Sequence, residues 1–155
     1  IDRLTLKRIK LHVSYPDETL IVMADIEKLK IALLNIVINA IEAMEEHKGH
    51  LSISLHHLTH HAVLNISDNG CGISEENISR LFEPYFTQKR NGVGLGLAFT
   101  LNILQTHKAT IEAYSVENGG TTFTITFPLG TAPENDERED DNGMVNMDAS
   151  GVAQD

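Results

Sequence analysis

The sequence has no tryptophan and few other aromatic residues, which make up 5% of its 155 positions, so aliphatic side chains must form the core. It has no apolar run near the roughly 18 residues that a membrane-spanning helix requires. Its single cysteine, Cys71, excludes an internal disulfide framework and fits a reducing compartment. These absences predict a cytoplasmic domain without membrane contact of its own, whether or not a parent protein is anchored in a membrane.

The net charge of −10 is distributed unevenly along the chain. Residues 131–155 contain eight acidic residues and one arginine, a net charge of −7, and few apolar residues. Residues 1–130 carry 11 basic and 14 acidic side chains, a net charge of −3. We therefore predict one globular domain over residues 1–130 and an acidic, disordered tail over residues 131–155. Neither part has the basic patch that nucleic acid binding requires. Because the chain begins at Ile1, we expect it to be part of a longer protein.

Hydrophobic periodicity predicts an α/β fold in which strands and helices alternate. Asp25 is placed to cap a long helix that follows it, and Asn118-Gly119-Gly120 is placed to form the turn of a C-terminal hairpin. Strands are predicted at residues 9–15, 20–24, 51–55, 63–66, 111–113 and 123–127, and helices at residues 26–44, 75–81 and 95–105.

Two asparagines share one face of the long predicted helix. Asn35 and Asn39 are four residues apart in the pattern Asn-x-x-x-Asn-Ala, so they lie one turn apart among aliphatic residues. Amides in such surroundings must find hydrogen-bonding partners. Taken alone, the pattern favours structural amides bonded to the backbone, although a binding site would show the same spacing.

A second motif follows a predicted apolar strand and contains Asp68, Gly70, Gly72 and Ile73. Two glycines two residues apart let the backbone turn sharply and admit a flat ligand. The Asp68 carboxylate can accept hydrogen bonds from an exocyclic amino group. Adenine offers that donor where guanine has a carbonyl, so the contact would select adenine nucleotides. In isolation the motif is also typical of an ordinary turn.

A third motif, Gly-Val-Gly-Leu-Gly-Leu at residues 92–97, opens a predicted helix. Backbone N–H groups at a helix N-terminus bind phosphate well. The motif is not a P-loop, because no Lys-Ser/Thr follows, and its spacing differs from the dinucleotide fingerprint. Phe82 and its aromatic neighbours would anchor the preceding segment, and Lys89 at its basic end could contact a γ-phosphate from a mobile lid.

These motifs, in this order, resemble the boxes of the GHKL ATPases and in particular of sensor histidine kinases. The boxes are Asn-x-x-x-Asn-Ala (N), Asp-x-Gly-x-Gly (G1), Phe-x-Pro-x-Phe (F), Gly-x-Gly-x-Gly-Leu (G2) and Gly-Gly-Thr-Thr-Phe (G3). The resemblance covers residues 9–128 and implies the Bergerat fold, a two-layer α/β sandwich with a mixed, mostly antiparallel sheet and helices on one face. The Phe-Thr-Gln-Lys segment resembles the Phe-Thr-Thr-Lys of nitrogen-regulation and sporulation kinases and departs from it at Gln88. Many relatives have His-Gly-Gly where this chain has His107-Lys-Ala.

The resemblance also implies roles for the matched residues. Asn39 would hold Mg²⁺, and Asn35 would lie beside the triphosphate. Asp68 would bind the adenine amino group in a pocket lined by Ala43 and Ile73, with Thr122 bonding near the base through water. The expected ATP-binding residues are Asn35, Asn39, Ala43, Asp68, Gly70, Gly72, Ile73, Lys89, Gly92, Val93, Gly94, Leu95, Gly96, Leu97 and Thr122.

The implied activity is transfer of the γ-phosphoryl group of Mg-ATP to a histidine on a separate dimerisation domain. Hydrolytic relatives place a glutamate one helical turn before the Mg²⁺-binding asparagine to activate water, and Asn35 cannot act as such a base. None of the eight histidines has the helical His-Glu/Asp setting of a phosphoacceptor, so no catalytic residue is expected in this fragment. The expected partners are the dimerisation domain and a response regulator, and the isolated domain is expected to be monomeric. The alternative is a non-catalytic ATP-binding switch or scaffold of the same fold.

Four histidines are grouped in His56-His57-Leu-Thr-His60-His61. Such close spacing could bind Zn²⁺ or Ni²⁺. The cluster falls at a predicted hairpin tip, with no acidic or cysteine residue beside it in the sequence. An exposed polar turn is therefore the favoured interpretation.

Overall fold

The computed structural model describes residues 2–86 and 96–130, and the predicted acidic tail lies outside these residues. Within these ranges, no helix has the length and apolar character needed to cross a membrane. The elements in chain order are α1 (Asp2–Lys7), β1 (Lys10–Ser14), α2 (Ile26–Ala43), β2 (His50–Leu58), β3 (His61–Asp68), α3 (Glu75–Ile78), α4 (Gly96–Thr106), β4 (Thr110–Val116) and β5 (Gly120–Pro128).

The strands form one sheet in the order β1-β2-β3-β5-β4. β1 pairs with β2 in parallel, and the β2–β3, β3–β5 and β4–β5 pairs are antiparallel. This arrangement confirms the predicted mixed, mostly antiparallel sheet. The predicted hairpins over residues 51–66 and 111–127 are confirmed too, with somewhat longer strands.

One face of the sheet carries the core, because the strand register places apolar residues opposite one another. Ile53 pairs with Ile66, and Ile66 pairs with Phe123. Helices α2 and α4 pack against each other and cover this face, where Ile36 and Leu104 are fully buried. Burial of each such side chain contributes roughly 1.5–3 kcal/mol. The opposite face is polar, with the residues Ser52, Ser54, Asn65, Ser67, Thr122 and Thr124.

Helix α2 begins where the sequence predicts. The Asp25 side chain accepts a hydrogen bond from the backbone N–H of Lys28 at 3.3 Å and so caps the helix. Ala32, Ile36 and Ala40 are buried at the spacing of a single helix face. The core contacts of this face fix the orientation of α2, and with it the positions of the two asparagines.

Helix α1 was not predicted, because six residues are too few to show a helical period. Its last residue, Lys7, donates from Nζ to the carbonyl oxygens of Ile41 and Met44, both at 3.0 Å. These carbonyls lie at the C-terminal end of α2, where unsatisfied acceptors and the helix dipole favour a cation. Lys7 therefore stabilises the end of α2.

Replacing Lys7 with methionine removes both bonds and keeps most of the apolar stem. We expect the free energy of unfolding, measured by urea titration, to fall by about 1–2 kcal/mol. Lys48→Met is the control, because it removes an exposed ion pair with Glu45 at 3.3 Å and should cost at most about 0.5 kcal/mol. Equal losses in the two variants would contradict the capping role of Lys7.

Two predicted elements differ from the structure. Residues 20–24 are not a strand: Ile21 accepts one hydrogen bond from the N–H of Gly130 at 2.7 Å, and Met23 is 76% exposed. An apolar run indicates burial but does not supply the sheet edge that a strand must pair with. The helix predicted over residues 75–81 is the shorter α3, which ends at Ile78 with Ser79 as its C-cap.

The turn after α4 forms although this chain has His107-Lys-Ala in place of His-Gly-Gly. Lys108 adopts the left-handed conformation (φ 60°) that glycine takes more readily, and the N–H of Ala109 donates to the carbonyl of Leu104 at 2.9 Å. His107 Nε2 accepts a hydrogen bond from the N–H of Asp25 at 2.9 Å. This bond joins the end of α4 to the start of α2.

Candidate functional site

The core face of the sheet ends in a polar row of three side chains. Asp68 at the end of β3 pairs with Thr121 in β5, and Thr121 pairs with Ser115 in β4. The next row inward is apolar and contains Ile66 and Phe123. Because alternate residues of a strand share a face, the three polar side chains lie on the helix-covered side of the sheet. We call Asp68, Thr121 and Ser115 the polar row.

Asp68 is a buried carboxylate, with 7% of the residue exposed. Its Oδ1 accepts hydrogen bonds from the backbone N–H of Gly70 at 2.8 Å and of Thr121 at 3.3 Å. Burial raises the pKa of Asp68, and the two N–H bonds oppose that rise. Since both bonds end on Oδ1, Oδ2 is the oxygen that a ligand can use.

The raised pKa of Asp68 predicts a pH-dependent effect on stability. A carboxyl whose pKa is higher in the folded state than in the unfolded state favours folding at pH values below the unfolded pKa. That favourable effect is lost as the pH rises through the folded pKa. An asparagine side chain in this place would keep the Oδ1 acceptor without the charge, so Asp68→Asn should raise the free energy of unfolding at pH 7.

The same comparison below about pH 4, near the unfolded pKa of an aspartate, should show a smaller difference between the two proteins. Urea titrations of wild type and Asp68→Asn at both pH values provide the measurement. If Asp68→Asn is less stable than wild type at pH 7, the prediction is wrong and the fold favours the charged form of Asp68.

The loop after Asp68 requires glycine at two positions. A Cβ on Gly70 would lie 2.4 Å from the carbonyl oxygen of Ala43, and one on Gly72, whose φ is 74°, would lie 2.1 Å from that of Val116. The N–H of Cys71 donates to the Ala43 carbonyl at 3.0 Å. The loop is therefore packed between the end of α2 and the β4–β5 hairpin, and this packing places Ala43 beside the Asp68 loop.

Ile73 closes the same loop. Its side chain is half-buried against the core, and its N–H donates to Ser115 Oγ at 2.7 Å. The loop after Asp68 thus contacts the end of α2 at Gly70 and the β4–β5 hairpin at Gly72 and Ile73.

The site-facing residues of α2 follow one another at four-residue spacing. Asn35 Nδ2 donates to Thr100 Oγ1 at 3.3 Å, and Thr100 is a fully buried residue of α4. Asn39 is half-buried one turn further along, between Asn35 and Ala43. This face of α2 therefore extends from the Asp68 loop at Ala43 to the first turns of α4 at Asn35.

Two of the predicted ATP-binding residues, Gly96 and Leu97, lie at the start of α4. Leu97 is half-buried against the core, whereas a Cβ on Gly96 would meet no heavy atom of residues 2–86 and 96–130 within 4 Å. The described fold therefore gives no steric reason for glycine at position 96. Phe82 packs edge-to-face against Phe123, with ring centroids 6.4 Å apart, and so anchors the segment before residue 87 as predicted. Lys89, Gly92, Val93, Gly94 and Leu95 lie outside the described residues.

The strand register does not bring Thr122 to Asp68. Its Oγ1 bonds to Ser67 Oγ at 2.7 Å on the opposite, polar face of the sheet. Thr121 is the neighbour of Asp68 instead, with 6% of the residue exposed. The sequence contained the signal, because Phe123 points inward and alternation then directs Thr121 inward and Thr122 outward.

The histidine cluster lies at the exposed tip of the β2–β3 hairpin, as predicted, with His56 and His57 in β2, His60 in the turn and His61 in β3. His57 contacts the Glu18 carboxylate through Nδ1 at 2.8 Å and the Thr59 carbonyl through Nε2 at 3.0 Å. The hydrogen bond with Glu18 raises the pKa of His57. Glu18 is distant in sequence, so the sequence did not indicate this acidic partner. Residues 2–86 and 96–130 include no group of three or more His, Cys, Asp or Glu side chains arranged to hold a metal ion.

Residues 24–131 match the sequence model of the family described as histidine kinase-, DNA gyrase B-, and HSP90-like ATPase. The chain is 41% identical over 109 residues to sporulation kinase B of Bacillus subtilis, covering 70% of this chain and 26% of that protein. It is 36% identical over 123 residues to the sensor histidine kinase ZraS of Escherichia coli, covering 79% of this chain and 26% of that protein. The chain thus spans about a quarter of the length of these relatives.

Solved structures give the same picture. The catalytic domain of histidine kinase ThkA superposes with a TM-score of 0.73 at 30% identity, covering 82% of this chain and 83% of that chain. The mycobacterial sensor histidine kinase MprB superposes with a TM-score of 0.72 at 27% identity, covering 83% of this chain and 88% of that chain. These superpositions confirm the two-layer α/β sandwich.

Proposed function

The chain belongs to the family of histidine kinase-, DNA gyrase B- and HSP90-like ATPases, and we propose that it is the ATP-binding catalytic domain of a sensor histidine kinase. In this proposal, residues 1–130 form the domain that positions Mg-ATP for γ-phosphoryl transfer to a histidine on a dimerisation domain. The relatives named above are a sporulation kinase and a sensor histidine kinase, and their names favour phosphoryl transfer over a purely structural role.

The observation that carries the proposal is the buried Asp68 carboxylate at the end of an apolar layer. Its Oδ1 is held by two backbone N–H groups, so Oδ2 has a fixed direction. Adenine can place its ring against the apolar residues near Ala43 and Ile73 and donate its amino group to Oδ2. Gly70 and Gly72 allow the loop to lie close enough for this contact.

The described residues also fit a metal-bound triphosphate. Mg²⁺ commonly keeps several waters and takes few protein ligands beside the phosphates, so an amide oxygen such as that of Asn39 is a suitable ligand. The ion would supply charge neutralisation at the phosphates. The N-terminus of α4 at Gly96 offers backbone N–H groups to the same phosphates. Lys89 and the residues Gly92, Val93, Gly94 and Leu95 are proposed to complete this site.

The side chain at position 35 of α2 favours phosphoryl transfer over hydrolysis. Position 35, one turn before Asn39, carries an amide that donates to Thr100. An amide cannot remove a proton from water at neutral pH, so the site is suited to an acceptor that is itself a nucleophile, such as an imidazole.

Asn35→Glu tests that distinction, because it places a carboxylate one turn from Asn39. We expect basal ATP hydrolysis to rise, but by less than the roughly 10²–10⁴-fold that a positioned general base supplies, since the water is not preorganised. Phosphate release should be measured at saturating ATP, because the added negative charge can weaken ATP binding. Asn35→Gln, which has the same length without the charge, should leave hydrolysis near the wild-type rate.

The direct test of the proposed function is phosphotransfer. The domain is incubated with γ-labelled ATP, Mg²⁺ and the dimerisation domain of its parent protein, and label on the acceptor histidine is measured. Transfer supports the proposal, whereas ATP binding without transfer favours a non-catalytic switch. Rapid hydrolysis by the unmodified domain would assign it to the hydrolytic members of the family.

The partners that follow from this proposal are the dimerisation domain, which supplies the acceptor histidine, and a response regulator that receives the phosphoryl group. The isolated domain is proposed to act as a monomer in the cytoplasm, where ATP is available.

A further inference from the structure

The side chain of Ser115, in the edge strand β4, meets three polar groups. Its Oγ accepts the N–H of Ile73 at 2.7 Å, donates to the carbonyl oxygen of Gly120 at 2.9 Å, and lies 2.8 Å from Thr121 Oγ1. These partners belong to the loop after β3 and to the start of β5. Ser115 therefore joins the two segments that surround Asp68.

The protons of this cluster can be assigned by counting donors and acceptors. A hydroxyl has one proton and two lone pairs, and the Gly120 carbonyl can only accept. The Ser115 proton is therefore used by Gly120, and the Thr121 hydroxyl must donate to Ser115 Oγ. The second lone pair of Ser115 Oγ accepts the Ile73 N–H. With this assignment all three bonds form together, and Thr121 Oγ1 is left with lone pairs alone for any further partner.

We propose that Ser115 is a positioning residue that fixes the Thr121 hydroxyl as an acceptor beside the Asp68 carboxylate. The inference rests on the ATP-binding function proposed above. Two acceptors at one end of the site favour a ligand edge that donates hydrogen bonds, such as the 6-amino group of adenine. They disfavour the 6-oxo group of hypoxanthine or guanine, which would face lone pairs without a proton between them. Ser115 acts on this selection through Thr121, without contacting the ligand.

The opposite face of the sheet contains a matched control. Ser67 Oγ and Thr122 Oγ1 form a hydroxyl pair at 2.7 Å that also involves β5. This pair has the same chemistry as the Ser115–Thr121 pair, but it lies on the face away from Asp68. Removing it should affect stability and leave base selection unchanged.

The experiment compares ATP with inosine triphosphate, whose bases differ at the 6-position edge, by calorimetric titration in Mg²⁺. Ser115→Ala should reduce the ratio of the two affinities by about three- to tenfold, because the Thr121 proton becomes free to donate to a 6-oxo group. Ser67→Ala should keep the wild-type ratio, and Ser115→Thr, which retains the hydroxyl, should restore it. A structural role alone would lower the melting temperatures of both alanine variants and leave both ratios unchanged.

Thr121→Val provides a second route that does not depend on Ser115→Ala folding. It should also lower the ratio, because valine removes the acceptor that favours an amino group and disfavours an oxo group, and adding Ser115→Ala to it should cause no further change. A wild-type ratio in either Ser115→Ala or Thr121→Val overturns the role of Ser115 while leaving ATP binding in place. A wild-type domain that binds neither nucleotide overturns the proposed function itself.

Discussion

Asp68→Asn is expected to lower the affinity for ATP by roughly ten- to a hundredfold while the domain stays folded, since a hydrogen bond to a charged group contributes about 1.5–3 kcal/mol. The asparagine of this variant would still accept the N–H groups of Gly70 and Thr121 through Oδ1. Its Nδ2 would then lie where Oδ2 was, so that the adenine amino group would face another donor. The 6-oxo group of GTP would find a partner in the same place, and the preference for ATP should shrink or reverse.

Calorimetric titration of both proteins with ATP and with GTP provides the measurement. Asn69→Ala is the control in the same loop, because Asn69 bonds to His50 and Lys48 at the β2 side of the loop and not to the polar row. It should retain the wild-type preference for ATP. If Asp68→Asn binds ATP as tightly as wild type, Asp68 is not the group that contacts the base.

The sequence predicted the long helix and the two hairpins because each has a clear hydrophobic period. The Asp25 cap and the alternation of Phe123, Ile125 and Phe127 each identify an element without reference to the rest of the chain. Residues 20–24 show the limit of this reasoning. Their apolar character is satisfied by partial packing against the core, at Leu20 and Val22, and strand formation would have required a partner that local sequence does not reveal.

The sequence predicted those site residues that lie close together in one motif. It did not predict the residues that only the pairing of strands brings to the site. Asp68, Gly70 and Gly72 lie within five residues of sequence, so they can be recognised as one motif. Ser115 belongs to no such motif. Its contact with Thr121, 6 residues away, follows from strand pairing, and its contact with Ile73, 42 residues away, follows from the packing of the loop after β3 against β4. Thr121 is intermediate, since the alternation in β5 already separated it from Thr122.

Gly72→Ala is expected to destabilise the fold by about 3 kcal/mol or more. Gly72 has a φ of 74°, where a side chain is strained, and the new Cβ would lie 2.1 Å from the carbonyl oxygen of Val116. The colliding atom belongs to the backbone of the β4–β5 hairpin, so rotation of a side chain cannot relieve the contact. Chemical denaturation of the ligand-free domain measures the loss, and wild-type stability in this variant would show that the loop does not lie against the hairpin.

Gly96→Ala is the matched comparison, and it separates glycines that the fold needs from glycines that a ligand needs. A Cβ at Gly96 meets no heavy atom of the described residues within 4 Å, and alanine is the better helix former by about 1 kcal/mol at most, so the ligand-free domain should be as stable as wild type or slightly more stable. If the phosphates of ATP lie against the backbone at the start of α4, the same methyl group should obstruct them and weaken ATP binding by roughly tenfold. The free energy of unfolding, measured without nucleotide, should therefore stay level or rise, while the ATP affinity measured by calorimetry should fall. Unaltered ATP affinity in Gly96→Ala would place the phosphates elsewhere, because no described contact of the fold accounts for this glycine.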